Sequence, residues 1–231
     1  MARAPRLALA GELHYLLQRG HNRQSVFADD RDRESYLAML HEAAMQYEVA
    51  IHAYALLDTE VHLLVTPIEA ASLSRLMQSL GRRYVSAFNR RHARSGTLWE
   101  GRFRAALIDA DALGHDAALH VEYQPVVVGL VGTAGEWAWS SAAHHLGRHR
   151  DPLITEHRTY WALGNTPFER ELVHAQKLRE GLLAAVARRF ECAVMQGRTV
   201  GPPVFLGNVE KRTGRPTHAR PRGRPARQTG R

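Results

Sequence analysis

The sequence lacks three features that would place a protein in a well-known structural class. It has one cysteine, Cys192, which excludes a disulfide framework within the chain and is expected to lie in the core rather than act as a nucleophile. No apolar run approaches the roughly 18 residues of a membrane span, and the longest, from Pro125 to Gly132, is far shorter. The basic start of the chain turns polar too soon for a secretory signal. We therefore expect a cytoplasmic protein with no membrane partner.

Acidic residues are absent from the C-terminal segment Lys211 to Arg231, which carries eight basic residues. The formal net charge of +8 resides there, because the remaining chain has 23 basic and 23 acidic residues. A basic tail on a neutral body indicates a polyanionic partner. The Gly-Arg-Pro sequences at 214–216 and 223–225 resemble an AT-hook, whose arginines enter a narrow A·T minor groove. A nonspecific basic tail is an equal alternative, and under both interpretations the residues predicted to contact DNA are Arg215, Arg222 and Arg224.

The hydrophobic pattern predicts a fold in which strands and helices alternate. Strands are predicted near 11–20, 50–58, 60–67 and 103–109, and helices over 29–49, 72–92 and 111–125. Because no strand shows the long apolar run of a parallel sheet, we expect an α+β fold with an antiparallel sheet flanked by helices. Residues 1–131 are predicted to form this domain, 132–200 a helical extension, and 201–231 a disordered tail rich in Arg, Gly and Pro.

Glu60 and His62 lie two residues apart in one of the predicted strands. Side chains alternate across a strand, so the two are expected on the same face. A carboxylate beside an imidazole can hold a divalent cation. The same spacing is common on the solvated face of an antiparallel strand, and the pair taken alone favours that simpler interpretation.

A second basic region runs from Arg75 to Arg104, where eight arginines accompany a single acid, Glu100. Aromatic residues alternate with these arginines, and the combination suits phosphates and unstacked bases. A solvated basic helix over an aromatic core explains the aromatics but not the one-sided charge, so we favour nucleic acid as the partner. The residues predicted to contact DNA in this region are Arg82, Arg83, Asn89, Arg90, Arg91 and Arg102.

Several segments resemble the REP-associated tyrosine transposases, a branch of the single-tyrosine HUH transposases. The similarity extends over roughly residues 1–201, and its most specific part is the segment GRRYVSAFNRRHARSGTLWEGRF. It implies a ferredoxin-like antiparallel sheet flanked by helices, usually a homodimer, that binds single-stranded or hairpin DNA of repetitive extragenic elements. It also places His21, Asn22 and Arg23, in the turn QRGHNRQ, where this family contacts DNA.

The same resemblance implies a metal-dependent reaction on DNA. In that family a His-hydrophobic-His strand holds Mg²⁺ or Mn²⁺, and a tyrosine on a helix attacks the scissile phosphate. Here His62 matches the second histidine, and Glu60 stands in place of the first. Gln124 takes the place of the family's metal-binding asparagine, and His120 stands where the nucleophilic tyrosine is expected.

These departures leave three interpretations open. Glu60 keeps the metal and Tyr123, three residues after His120, attacks from a displaced position on the helix. Alternatively, His120 itself attacks the phosphate or activates water. In the third interpretation catalysis is lost and the domain only binds DNA, and two departures at defining positions favour this outcome or a much reduced activity. His144 and His145 are expected to be structural or on the surface.

Overall fold

The central strand of the sheet, β1 (Leu13–Arg19), pairs along both of its edges. The computed structural model of the protein describes residues 6–217. In it, β1 lies antiparallel between β3 (Glu60–Pro67) and β4 (Arg104–Ile108), and β2 (Val49–Leu56) pairs antiparallel with β3. A short β5 (Thr199–Val200) joins β4 in parallel. The predicted α+β fold is confirmed, and the antiparallel sheet becomes mixed because the chain returns to it after a long excursion.

Helices cover both faces of this sheet. α1 (Asp30–Gln46) and α2 (Ser72–Arg91) pack on one face, where their apolar sides and the strands enclose the larger core. α3 (Ala110–Glu122) and α8 (Ala184–Gln196) pack with the residues of the opposite face. The strand side chains alternate between these two cores, as the pleat requires, so each residue of β1 and β3 belongs to one layer or the other.

The predicted helical extension is joined to the sheet rather than separate from it. It follows α4 (Gln124–Val127) and contains α5 (Ala142–His145), α6 (Arg158–Trp161) and α7 (Pro167–Glu180) before α8. Two single bridges connect the segments between these helices to β2, the outermost strand. The extension therefore covers an edge whose backbone groups would otherwise be open to pairing with another chain.

The tail begins as a helix, which corrects the prediction of disorder from residue 201 onward. α9 (Pro203–Thr213) starts with proline, whose fixed φ suits the first helical turn, and buries Val209. The prediction of disorder followed from the high Arg, Gly and Pro content of the tail. That content hid the helical pattern of this short segment. Arg215 follows the helix, while Arg222 and Arg224 lie outside the described residues.

The predicted core position of Cys192 is wrong, because this residue is exposed on α8. The buried residues of that helix are Phe190, Ala193 and Val194. At 3.6 residues per turn, a residue two positions after Phe190 points to the opposite side. Over residues 6–217, no helix is long and apolar enough to cross a membrane.

Candidate functional site

Glu60 and His62 share one face of β3, as the strand alternation predicts. Glu60 Oε1 and His62 Nε2 are 3.0 Å apart, so the two side chains contact each other directly. The register of the sheet places Arg19 opposite Glu60 and Leu17 opposite His62 on β1. The pair therefore lies on the layer that α3 and α8 cover.

Two residues of β1 complete the polar contacts of this pair. Arg19 Nε donates a hydrogen bond of 2.7 Å to Glu60 Oε2, and the Tyr15 hydroxyl lies 2.6 Å from His62 Nδ1. Burial alone would raise the pKa of Glu60. The hydrogen bonds and charges of His62 and Arg19 outweigh that effect and lower the pKa to about 2. Glu60 is thus ionised at neutral pH, with an arginine already bound to it.

α3 and α4 bring His120 and Gln124 to the same place. The His120 ring contacts the Tyr15 ring edge-on, with centroids 5.3 Å apart. Gln124 Nε2 donates to the His120 carbonyl oxygen at 3.0 Å and lies 3.3 Å from His120 Nε2. Burial, and secondarily the charge of His62, lowers the pKa of His120 to about 3, so this imidazole is neutral at physiological pH.

Tyr123 is placed away from this group. Its side chain packs against a separate apolar cluster of Leu119, Ala134, Ala142 and Leu178. Tyr123 directly follows α3, and the cluster that its side chain contacts includes Ala142 of α5 and Leu178 of α7. A nucleophilic role for Tyr123 would require its ring to leave this cluster, and that role stays a prediction.

α8 closes over the site, which no pattern in the sequence indicated. Phe190 lies 5.3 Å from His120 between ring centroids, and Met195 Sδ accepts a hydrogen bond of 3.3 Å from Arg19 Nη1. As a result, His62 and His120 are 3% and 2% exposed. At this exposure, neither imidazole is accessible to a DNA phosphate in this structure.

The residues predicted to bind Mg²⁺ or Mn²⁺ fit such an ion in part. Glu60 Oε1 and His62 Nε2 face each other, and both atoms are suitable ligands. The guanidinium of Arg19 competes for the same carboxylate. The amide of Gln124 is directed at His120. Two of the three predicted ligands are therefore brought together, next to a fixed positive charge.

The turn predicted to contact DNA has an unusual backbone. His21, Asn22 and Arg23 are all exposed, and Asn22 and Arg23 have left-handed φ angles of 51° and 56°. Hydrogen bonds to the Leu98 carbonyl from the His21 amide and the Gln24 side chain hold the turn in place. Non-glycine residues in this region typically cost ~1–3 kcal/mol and concentrate at functional sites. The turn presents three polar side chains on a fixed support.

The charge around the arginines of α2 is less strongly positive in the folded protein than the sequence implied. Tertiary structure brings Asp29 and Asp32 to Arg91, and Glu42 to Arg83. Asn89 Nδ2 donates to the Gly96 carbonyl at 2.9 Å and so fixes the turn after α2. Among the residues predicted to contact DNA between Arg75 and Arg104, three are exposed and form no ion pair with an acidic residue in the described part of the chain: Arg82, Arg90 and Arg102.

A second group of titratable side chains was missed by sequence reasoning. Glu122, His145 and His174 come from α3, α5 and α7 and are buried. Their potential metal-ligand atoms lie within 4.8 Å of one another. His145 was expected to be structural or on the surface, and it is buried in contact with Glu122. No short spacing links the three residues, so only the tertiary structure reveals them.

Comparisons with known proteins point to one family. Residues 12–115 match the family model described as "Transposase IS200 like", which includes Glu60 and His62 but ends before His120. A solved REP-associated tyrosine transposase bound to a REP hairpin aligns with 68% of this chain and 92% of its own. Its TM-score is 0.54 and its identity 17%. A transposase structure from Deinococcus radiodurans R1 aligns at 22% identity over 46% of this chain and 82% of its own, with a TM-score of 0.34. No curated protein matches the sequence.

Proposed function

We propose that this chain, whose residues 12–115 match the family model described as "Transposase IS200 like", is a transposase-like protein that binds single-stranded or hairpin DNA of repetitive extragenic elements. The observation that carries the proposal is the strained, exposed turn at 21–23, held against the loop that follows α2. The fold is shared with a transposase that was solved on a REP hairpin. Arg82, Arg90 and Arg102 add positive charge without acidic partners among the described residues.

The test is a binding measurement with labelled hairpin DNA at low salt. Reversing two charges with Arg82→Glu and Arg90→Glu should weaken binding by more than about tenfold and flatten its salt dependence, because phosphate contacts release counterions. The matched control is Arg150→Glu together with Arg148→Glu, which makes the same change of charge in the segment that covers β2. An equal loss in the control pair would show that net charge, rather than a defined face, determines binding.

The same proposal holds that the domain binds DNA without cutting it efficiently. The position of the expected nucleophile is His120, a buried neutral imidazole under Phe190. Tyr123 packs elsewhere, and Arg19 occupies Glu60. Neither candidate nucleophile is therefore set beside an available metal site.

Metal-dependent strand cleavage is the second candidate, because Glu60 and His62 present two ligand atoms 3.0 Å apart. Incubation with hairpin DNA and Mn²⁺ followed by denaturing gels should show no covalent adduct. An adduct that disappears in Tyr123→Phe, but not in Tyr47→Phe, would establish an active enzyme with a displaced nucleophile. An adduct that disappears in His120→Gln would instead identify a phosphohistidine. A homodimer, a cytoplasmic location and DNA contacts by Arg215, Arg222 and Arg224 stay predictions.

A further inference from the structure

We propose that Glu122, His145 and His174 form a structural site for a divalent metal ion, with Zn²⁺ as the best match. The site lies where α5 and α7 meet α3, and it is built from different residues than the Glu60–His62 pair. The inference does not depend on DNA binding. It rests on the geometry, the burial and the charge of these three side chains.

The two imidazoles converge on one carboxylate. His145 Nδ1 lies 2.6 Å from Glu122 Oε1, and His174 Nε2 lies 2.8 Å from Glu122 Oε2. All three side chains are at most 2% exposed. Two nitrogen donors and one carboxylate oxygen are a donor set that Zn²⁺ commonly takes in proteins. Both histidines therefore direct a ring nitrogen at the same buried acid.

The charge of Glu122 lacks the usual partner. No lysine or arginine forms an ion pair with it within residues 6–217, and its contacts are the two histidines and the Ser141 hydroxyl. A buried carboxylate needs a compensating cation. A divalent ion supplies that charge and allows both imidazoles to be neutral.

The second ring nitrogen of His174 has a hydrogen-bond partner, as is usual for a metal-binding histidine. His174 Nδ1 lies 3.0 Å from His115 Nε2, which leaves Nε2 to face Glu122. A hydrogen bond to the second ring nitrogen fixes the orientation of a metal-binding histidine and its tautomer. Tyr160 packs against both rings, with centroids 4.7 Å from His145 and 5.7 Å from His174. The proposed ligands are therefore confined on several sides.

The burial decides which kind of metal site this is. A catalytic zinc keeps a position open to substrate, whereas a structural zinc is enclosed. The ligand atoms now lie within 4.8 Å of one another, and bonds of about 2.0–2.1 Å to a common ion would bring them to about 3.4 Å. The two imidazole nitrogens, now 2.6 and 2.8 Å from the Glu122 oxygens, would move slightly away from the carboxylate to admit the ion, and the Ser141 hydroxyl or a water molecule would complete the shell. We assign it the role of fixing the extension to the domain.

The experiment measures metal in the full-length protein, purified without a histidine tag. After chelator treatment and reloading with Zn²⁺, mass spectrometry of the metal should give one tightly held ion per chain, with a rise in Tm on reloading. Co²⁺ should give the visible absorption of a tetrahedral nitrogen and oxygen site. His174→Gln should lose the ion and the rise in Tm. His144→Gln, which removes a neighbouring histidine outside the group, should keep both.

A variant with Glu60→Gln and His62→Gln separates this site from the pair on β3, and it should retain the zinc. Wild-type protein that takes up no ion and shows no Tm change on loading would overturn the proposal without reference to any variant. Equal zinc in wild type and in His174→Gln would overturn it as well. Hairpin binding is measured independently, so loss of the proposed function would leave the metal result standing.

Discussion

Glu60 and Glu122 are carboxylates that each contact histidine, but their charges are balanced in different ways. Glu60 has Arg19 on one oxygen and His62 on the other, and its side chain keeps 17% of its exposure. Glu122 has an imidazole on each oxygen, no exposure, and no lysine or arginine in an ion pair within the described residues. A fixed guanidinium competes with any metal ion at the first acid. The second acid has only groups that can themselves become metal ligands.

This difference explains why the two sites are assigned different roles. At Glu60, the family resemblance predicted a metal, and the tertiary structure supplied an arginine and a covering helix instead. At Glu122, no motif predicted a metal, and the tertiary structure assembled a suitable donor set. The family motif therefore identified Glu60, which is the less suitable of the two carboxylates for binding a cation.

The largest effect is expected when the two carboxylates are replaced by the same neutral residue. Glu122→Gln leaves two buried imidazoles and Ser141 facing an amide, and it should reduce the free energy of unfolding by about 3–5 kcal/mol. Glu60→Gln removes a partly exposed pair and should cost about 1 kcal/mol. Urea unfolding of both variants at pH 7 provides the measurement. Similar losses would mean that the two sites do not differ in the way described.

An effect of similar size, spread over several pH units, is expected when the pH is lowered. The pKa of His120 is about 3 in the folded protein against 6.5 in the unfolded chain, so the unfolded chain binds more protons between these values. The stability that His120 contributes is present above pH 6.5 and is lost as the pH falls toward 3, by at most about 1.4 kcal/mol per pH unit. His120→Gln should reduce that slope, measured by urea unfolding from pH 7 to 4. The exposed His149→Gln serves as control, and an unchanged slope in His120→Gln would contradict the buried neutral assignment.

The smallest effect tests whether Arg19 keeps cations from Glu60. Arg19→Gln should tighten Mn²⁺ binding at the Glu60–His62 pair by about tenfold, which corresponds to ~1.4 kcal/mol. Arg19→Lys keeps the charge and should leave the affinity near that of wild type. Electron paramagnetic resonance titration of free Mn²⁺ measures both variants. Equal affinities in Arg19→Gln and Arg19→Lys would show that α8, rather than the charge of Arg19, limits access.

The elements around β3 illustrate how much a sequence can predict. The strand from Glu60 to Pro67 and the shared face of Glu60 and His62 were predictable, because a period of two leaves one geometric choice. α2 and its buried aromatic side were predictable for the same reason at helical spacing. The acids that neutralise Arg83 and Arg91 were not, since they come from α1 and from Asp29, the residue before it. The net charge of the segment from Arg75 to Arg104 was therefore larger than the net charge of the surface that it forms with α1 in the folded protein.

By itself, the sequence determined the α+β alternation, the position of the paired strands and the resemblance to a transposase family. Each of these depends on local periodicity or on residues that are consecutive in the chain. Only the tertiary structure decided that α8 covers His120, that Arg19 binds Glu60, and that Glu122 meets His145 and His174. These contacts join segments tens of residues apart. Their formation depends on how the helices pack on the sheet, and no short-range pattern encodes that packing.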